Sequence, residues 1–571
     1  MRIVCVGGGP GALYVAVLLK RARPAWEIVV YERNQPDETF GFGVVFSEPT
    51  LSGLKAADPT TYEAMLAESE RWDPIEVRRA DATLRCHGQG FAAIARQRLL
   101  GILRREAEHV GVVLHFGVPI DPFNLPVADL VIAADGARSA IRKRFEEHFE
   151  PTFEVGAAKY IWFATTQRFE CLTFLFEENS RGAFAVHAYP FASGASTFIV
   201  ETDERTWRNA GLDGVAGPNA EDGRSLRYCE ELFASHLGGH RLLANRSVWT
   251  NFRTVRTQSW HHERVVLLGD AAHTAHFSVG SGTKMALEDA LALSTALCSE
   301  ASVPAALARY EGERRPRVRK LQLSAGPSLV WWETFGQAMG QPLEPFMFRF
   351  LTRNFNVTRE SLVKRDPSFV HHVEQWFSNA AGGGEGRAQD AAYAVRGLRL
   401  ANRIVCEDSE HGSEARSSLV LAAPASYRSP SSVGAGSSHV KRGLLVDASQ
   451  AASLDFSRED FDWLEVRLDG TRPPQELIET VRARWKGPLS ARLVVGREPL
   501  DGLVSLARDA VQAGADVISI NAAPDRQVSA ILFADALRFP SATPLMISCP
   551  ADLADTLLLS QRTDLCLTPR T

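Results

Sequence analysis

Six residues near the amino end, Gly7-Gly8-Gly9-Pro10-Gly11-Ala12, have the types and spacing to hold a phosphate. They follow the apolar run Ile3 to Val6 and precede the apolar-rich stretch Leu13 to Leu19, so they lie where a strand turns into a helix. Glycine there lets the backbone approach a pyrophosphate, whose negative charge the amino end of the helix favours. Ala12 fills the last small-residue position, a substitution the fingerprint allows. A second strand, Glu27 to Tyr31, runs into Glu32 and Arg33, and an acid about twenty residues past the glycines can accept hydrogen bonds from ribose hydroxyls. Alone, this βαβ unit suits FAD and NAD equally well.

Two further segments separate those options. Asp135-Gly136-Ala137-Arg138-Ser139 lies mid-chain, and Val265-Val266-Leu267-Leu268-Gly269-Asp270-Ala271-Ala272-His273 lies further on. The apolar run of the latter predicts a buried strand that delivers Asp270 to a turn, where it would bond the ribityl chain of a flavin. Downstream, Gly280-Ser281-Gly282-Thr283-Lys284 opens a helix with apolar residues at Met285, Leu287, Ala290, Leu291 and Leu293. Its positive end would face the flavin ring, which is negative when reduced. The plain alternative is a buried strand, a capped turn and a core helix, but all three segments in this order point to FAD. The expected cofactor contacts are Gly7, Gly9, Ala12, Glu32, Arg33, Asp135, Gly269, Asp270, Gly280, Gly282, Thr283 and Lys284.

The trio resembles the FAD-dependent aromatic hydroxylases of the para-hydroxybenzoate hydroxylase type. Finer features are similar to the salicylyl-CoA 5-hydroxylase and anthraniloyl-CoA monooxygenase group and to violacein-pathway hydroxylases. These are Gly41-Phe42-Gly43-Val44-Val45-Phe46-Ser47, Tyr160-Ile161-Trp162, His187-Ala188-Tyr189-Pro190 and the run Gly269 to Ala290. The resemblance covers residues 1 to about 375, and Phe277 stands where many of the wider hydroxylases carry proline. It implies a single-component monooxygenase using NAD(P)H and O2, with Ser47 and Arg96 at the cofactor. It also implies His187, Tyr189 and His276 around an aromatic substrate that is CoA-linked, such as anthraniloyl-CoA or salicylyl-CoA. Two other functions remain: hydroxylation of a free aromatic natural-product intermediate derived from tryptophan or indole, and a non-catalytic flavoprotein scaffold.

The elements that must position these residues are readable in outline. At 571 residues the chain is long enough for two or three domains. A net charge of −5 gives no electrostatic case for nucleic acid or an anionic membrane surface. The eight cysteines contain no C-x-x-C pair, which suggests neither a zinc site nor a disulfide framework. No metal is called for. With no leader-like segment and no long apolar run, the expected location is the cytoplasm.

The fold class expected is α/β: a Rossmann-like FAD-binding domain with an inserted mixed-sheet substrate domain, followed by a truncated TIM-barrel-like domain. FAD-binding parts are placed at 1–155 and 255–300, the substrate domain at about 156–254, a helical part at 301–378 and a linker at 379–396. In Ala183-Phe184-Ala185-Val186-His187-Ala188-Tyr189 a period of two puts His187 and Tyr189 on one face and Phe184 and Val186 on the other. That pattern fits the floor of a substrate cavity and fits a satisfied core histidine equally well. Beyond residue 397, eight candidate strands alternate with helices, enough for a (β/α)₈ barrel. This tail resembles an old-yellow-enzyme-like domain in degenerate form. Arg492 survives, yet the segments that would hold a flavin do not, so no FMN is expected there. The expected partners are the aromatic substrate and O2, and a homodimer is an open option.

Overall fold

The computed structural model describes residues 1–38, 41–214, 223–280, 282–354 and 356–380. Within the C-terminal part it describes 393–395, 398–400, 404–407, 419–422, 441–447, 450, 462–468, 473–496, 500–522, 526, 530–531, 534, 544–549 and 551–568. The chain forms two compact units, Met1–Met339 and Gly340–Thr571. Residues 381–392 of the linker expected at 379–396, and residues 401–403, 408–418 and 423–440, lie outside the described residues.

In the first unit, apolar strands Arg2–Val6, Glu27–Glu32, Val113–Phe116, Leu130–Ala133 and Val265–Leu267 form a parallel sheet, edged by the antiparallel His261–His262. Runs such as Ile3-Val4-Cys5 and Leu130-Val131-Ile132 are fully buried, as strands covered on both faces must be. The order places Leu130–Ala133 on one side of Arg2–Val6 and Glu27–Glu32 on the other. Strand order therefore reverses at Arg2–Val6, which opens a crevice at the carboxyl ends of these strands. Val6 and Leu267 both pair with Ala133, so three loops far apart in sequence leave the sheet side by side.

A mixed sheet carries the second layer. Thr152–Thr165, Leu172–Asn179, Gly182–Ala192 and Ala195–Thr202 run antiparallel, with Thr250–Arg256 paired back onto Thr152–Thr165. This sheet is wider than the expected insertion at 156–254. Ile75–Arg79 adds in parallel to Leu172–Asn179, and Ala82–Cys86 follows it, both from a stretch assigned to the FAD-binding part. The period of two holds: Phe184, Val186 and Ala188 bury into one apolar cluster with Phe198 and Phe233, leaving His187 on the opposite face.

In the second unit, Ile404–Glu407, Leu419–Ala422, Lys441–Asp447, Trp463–Arg467, Leu489–Val495, Val517–Ala522, Leu545–Ser548 and Leu565–Thr568 pair in parallel and close into a barrel. All eight strands are present, so in strand count the barrel is complete rather than truncated. The helical part expected over 301–378 divides at Gly340, because its later helices pack on the barrel. Arg359 donates its backbone N–H to Thr556 Oγ1 at 2.9 Å, and Arg562 reaches Thr352 Oγ1 at 3.2 Å. Tyr393–Val395, at the end of the expected linker, forms a hairpin with Leu398–Leu400.

Candidate active site

The amino-terminal loop is built around glycine by necessity. Gly7 has φ of +107°, and a Cβ there would lie 2.3 Å from the Ala134 carbonyl oxygen. At Gly11 a Cβ would meet Leu268 at 2.6 Å, so this residue lets the helix Pro10–Ala22 approach the Asp270 segment. By contrast a Cβ at Gly9, Gly136 or Gly282 meets nothing within 4 Å. The glycines thus pack tightly on the protein side and leave space on the crevice side, as a bound pyrophosphate requires.

Glu32 ends its strand beside this loop. Its carboxylate accepts the Gly8 N–H at 2.5 Å and both the backbone and side-chain N–H groups of Asn34 at 2.8 Å. A cleft lined by Gly8, Gly9, Glu32, Gln35, Arg96 and Arg104 opens there, at the adenosine end of the cradle. Arg33 is exposed, Ala12 is buried beneath the loop, and Ser47 closes the strand Gly43–Ser47 with its hydroxyl 3.1 Å from Thr50 Oγ1.

Asp270 marks the flavin end. Its side chain is open to solvent, yet so much protein surrounds it that desolvation pushes its carboxyl above the usual carboxylate range, against the opposing charges of His273, Arg96 and Arg142. An exposed acid in desolvating surroundings is what a deep, ligand-shaped cleft produces. Arg96, which lines the cleft beside Glu32, also feels Asp270: burial lowers the pKa of its guanidinium, and the Asp270 charge partly restores it. FAD fits the chemistry of these residues: a glycine loop open on one side, an acid at the end of the adjacent strand and a second acid with an arginine near it.

Several supporting residues had escaped the sequence. Arg142, almost fully buried, donates to the Ala271 carbonyl at 2.7 Å and the Ala137 carbonyl at 2.6 Å, tying the mid-chain motif to the Asp270 turn. Asp135, which the sequence did single out, accepts the Ala140 N–H at 2.8 Å at the start of a short helix. Asp289 accepts His273 Nε2 at 2.7 Å, Arg314 Nε at 2.8 Å and the Gly269 N–H at 3.2 Å. Burial alone would raise the Asp289 pKa, but His273 and Arg314 hold it below the usual range. The available signal was an acid beside the apolar positions Met285, Leu287, Ala290 and Leu293 of helix Gly282–Ser299. Gly280, at φ of +59°, turns the loop toward that helix, Gly282–Ser299, where Thr283 is half-buried and Lys284 lies 3.7 Å from Glu288.

Of the three residues expected around a substrate, the structure brings two together. His187 Nε2 lies 3.0 Å from Glu201 Oε2, and His276 Nε2 lies 3.6 Å from Glu201 Oε1. Aromatic rings enclose this group: Trp332 at 4.2 Å and Phe277 at 5.4 Å from the His187 ring, and Phe252 at 5.0 Å from the His276 ring. Tyr160 pairs across the strands with Glu201 and packs 4.7 Å from Phe277. Tyr189 sits apart, stacked on Trp72 and donating its hydroxyl to the Gly43 carbonyl at 3.1 Å.

The model of the FAD binding domain family matches residues 126–324. The chain is 49% identical over 384 residues to a salicyloyl-CoA 5-hydroxylase of a Streptomyces species, covering 66% of this chain and 74% of that protein. It is 37% identical to a 3-hydroxy-4-methyl-anthranilyl aryl-carrier-protein 5-monooxygenase of Streptosporangium sibiricum, covering 63% of this chain and 97% of that one. With the protodeoxyviolaceinate monooxygenase of Chromobacterium violaceum it shares 35% identity, over 63% of this chain and 95% of the relative. The match to the FAD binding domain family and these hydroxylase and monooxygenase relatives lead to one conclusion: the chain belongs to the FAD-dependent aromatic hydroxylases, flavin monooxygenases that draw their electrons from NAD(P)H.

Proposed function

We propose that the protein hydroxylates the ring of an aromatic acid carried as a thioester, a 2-hydroxybenzoyl or 2-aminobenzoyl group linked to CoA. The observation that carries this is the polar group of His187 and Glu201, on adjacent strands of the mixed sheet, with His276, on the loop that leads into helix Gly282–Ser299, set in an aromatic enclosure. Two relatives support the substrate class, since their names describe acyl groups bearing a donor at ring carbon 2, held on CoA or a carrier protein, and oxidised at carbon 5. Carbon 5 lies para to that donor, where the ring is richest in electrons and most open to an electrophilic oxygen. When bound, FAD takes electrons from NAD(P)H and activates dioxygen. The protein's own part is to orient the ring, exclude water through residues such as Trp332 and Phe277, and manage protons at His187 and His276.

The remaining cofactor contacts follow the same scheme, with Gly7, Gly9, Ala12, Glu32 and Arg33 serving the adenosine half. Ser47, Arg96, Asp135, Gly269, Asp270, Gly280, Gly282, Thr283 and Lys284 serve the flavin half. We read the barrel as a non-flavin appendage descended from an old-yellow-enzyme-like domain. The test is to supply NAD(P)H and compare 2-hydroxybenzoyl-CoA and 2-aminobenzoyl-CoA with their free acids, following O2 uptake and product mass. Gain of one oxygen atom on the thioesters and not on the acids is expected. Equal turnover of the free acids would favour a free-aromatic substrate, as the violacein-pathway relative suggests.

A further inference from the structure

Glu201 is fully buried on the aromatic face of the mixed sheet, at the end of the apolar run Phe198-Ile199-Val200. A buried carboxylate requires hydrogen-bond donors or positive partners, and removing water from it without them is costly. It has two histidines, one on each oxygen: His187 from the neighbouring strand at 3.0 Å and His276 from the flavin-side loop at 3.6 Å, an ion-pair distance. The polar chain continues from His276 Nδ1 to Ser278 Oγ at 2.8 Å and on to Ser328 Oγ at 2.9 Å. Ser278 is half-buried, whereas Glu201, His187 and His276 are almost fully enclosed. A route for protons therefore runs from the sheet to the loop through otherwise apolar rings.

Resting on the aryl hydroxylation proposed above, we infer that Glu201 is the positioning residue of a proton chain, His187–Glu201–His276–Ser278, that removes the ring proton displaced by hydroxylation. Once oxygen is bonded to the ring carbon, the C–H bond there breaks, its electron pair restores the aromatic ring and the proton passes to an imidazole nitrogen. Glu201 stabilises the imidazolium so formed, and the proton moves on toward Ser278. Of the groups facing this chain, Tyr160 also titrates, but burial and the Glu201 charge push it up to about 12, so it stays a neutral phenol. Arg138 and Asp270 act on Tyr160 from the cleft side.

The experiment is steady-state turnover of the FAD-loaded, full-length Glu201→Gln and Glu201→Asp variants. Glu201→Gln is expected to lower kcat at least tenfold with KM changed less than about threefold, to alter the pH profile of kcat, and to keep its FAD; Glu201→Asp is expected to recover part of kcat. An unchanged kcat and pH profile in Glu201→Gln would overturn the inference, as would an equal loss in both variants with an unaltered profile, which marks a packing role. Should Glu201→Gln not fold, Ser278→Ala decides: a lower kcat with a larger solvent isotope effect supports the chain, and wild-type values for both overturn it. Failure of the wild type to oxidise any aryl thioester would instead refute the substrate class, and the variants would then be compared on whichever aromatic stimulates NAD(P)H oxidation.

Discussion

Asp270 and Asp289, two carboxylates of one turn-and-helix segment, are driven in opposite directions by their surroundings. Desolvation raises the Asp270 pKa, while His273 and Arg314 lower that of Asp289. For Asp270, a raised native value means that its contribution to stability is lost as pH rises through that value. At neutral pH the ligand-free protein therefore bears a cost that ribityl hydroxyls can offset. Asp270→Ala should fold at least as well as wild type and lose most of its FAD; flavin absorbance per purified chain measures this, and full retention would remove Asp270 from the cradle. For Asp289, a lowered native value means a contribution present above its unfolded value, near 3.9, and lost as pH falls through the native one. Asp289→Asn should cost about 3–5 kcal/mol at neutral pH by denaturant titration. The difference from wild type should shrink toward acid pH.

Elements decide which polar residues work on the substrate and which hold the scaffold. On strand Gly182–Ala192 the alternation places His187 and Tyr189 on one face, as the sequence pattern predicted. Position along the strand then separates them. His187 meets Glu201, while Tyr189, two residues on, meets Trp72 and the Gly43 carbonyl. A period-of-two pattern reports a face but not the neighbour across the sheet, because register depends on strands remote in sequence. In the sequence Glu201 shows only as an acid after the apolar run Phe198-Ile199-Val200, and nothing local ties it to His276. Tyr189→Phe should accordingly keep kcat within about twofold and lose about 1 kcal/mol of stability, read from turnover and from urea midpoints. A large loss of kcat at wild-type stability would instead return Tyr189 to the substrate site.

On the scale of the whole molecule, the barrel and the hydroxylase unit differ in how they use their buried charges. In the barrel Arg492 and Glu465 are both fully buried and paired, with Ser490 donating to Glu465 at 2.7 Å and Trp463 Nε1 to Ser490 at 3.0 Å. An arginine so engaged has its charge already compensated, which leaves it ill placed to hold a flavin phosphate. Flavin released from the purified protein is expected to be FAD alone, one per chain. Chromatographic detection of stoichiometric FMN would overturn the reading of the barrel as a non-flavin domain. Among the described residues no helix is long and apolar enough to cross a membrane.

The local pattern of residues determined the glycine loops, the strand-to-helix turns, the alternation of the substrate sheet and the eight strands of the barrel. All depend on backbone sterics and periodicities that span a few residues. Tertiary structure alone decided that Gly7, Asp135 and Gly269 leave the sheet side by side, since that follows from Val6 and Leu267 both pairing with Ala133. It also decided that Ile75–Arg79 completes the substrate sheet and that Glu201 stands between two histidines. These are pairings between distant segments, fixed by which apolar faces bury together, and no local stretch of residues encodes them.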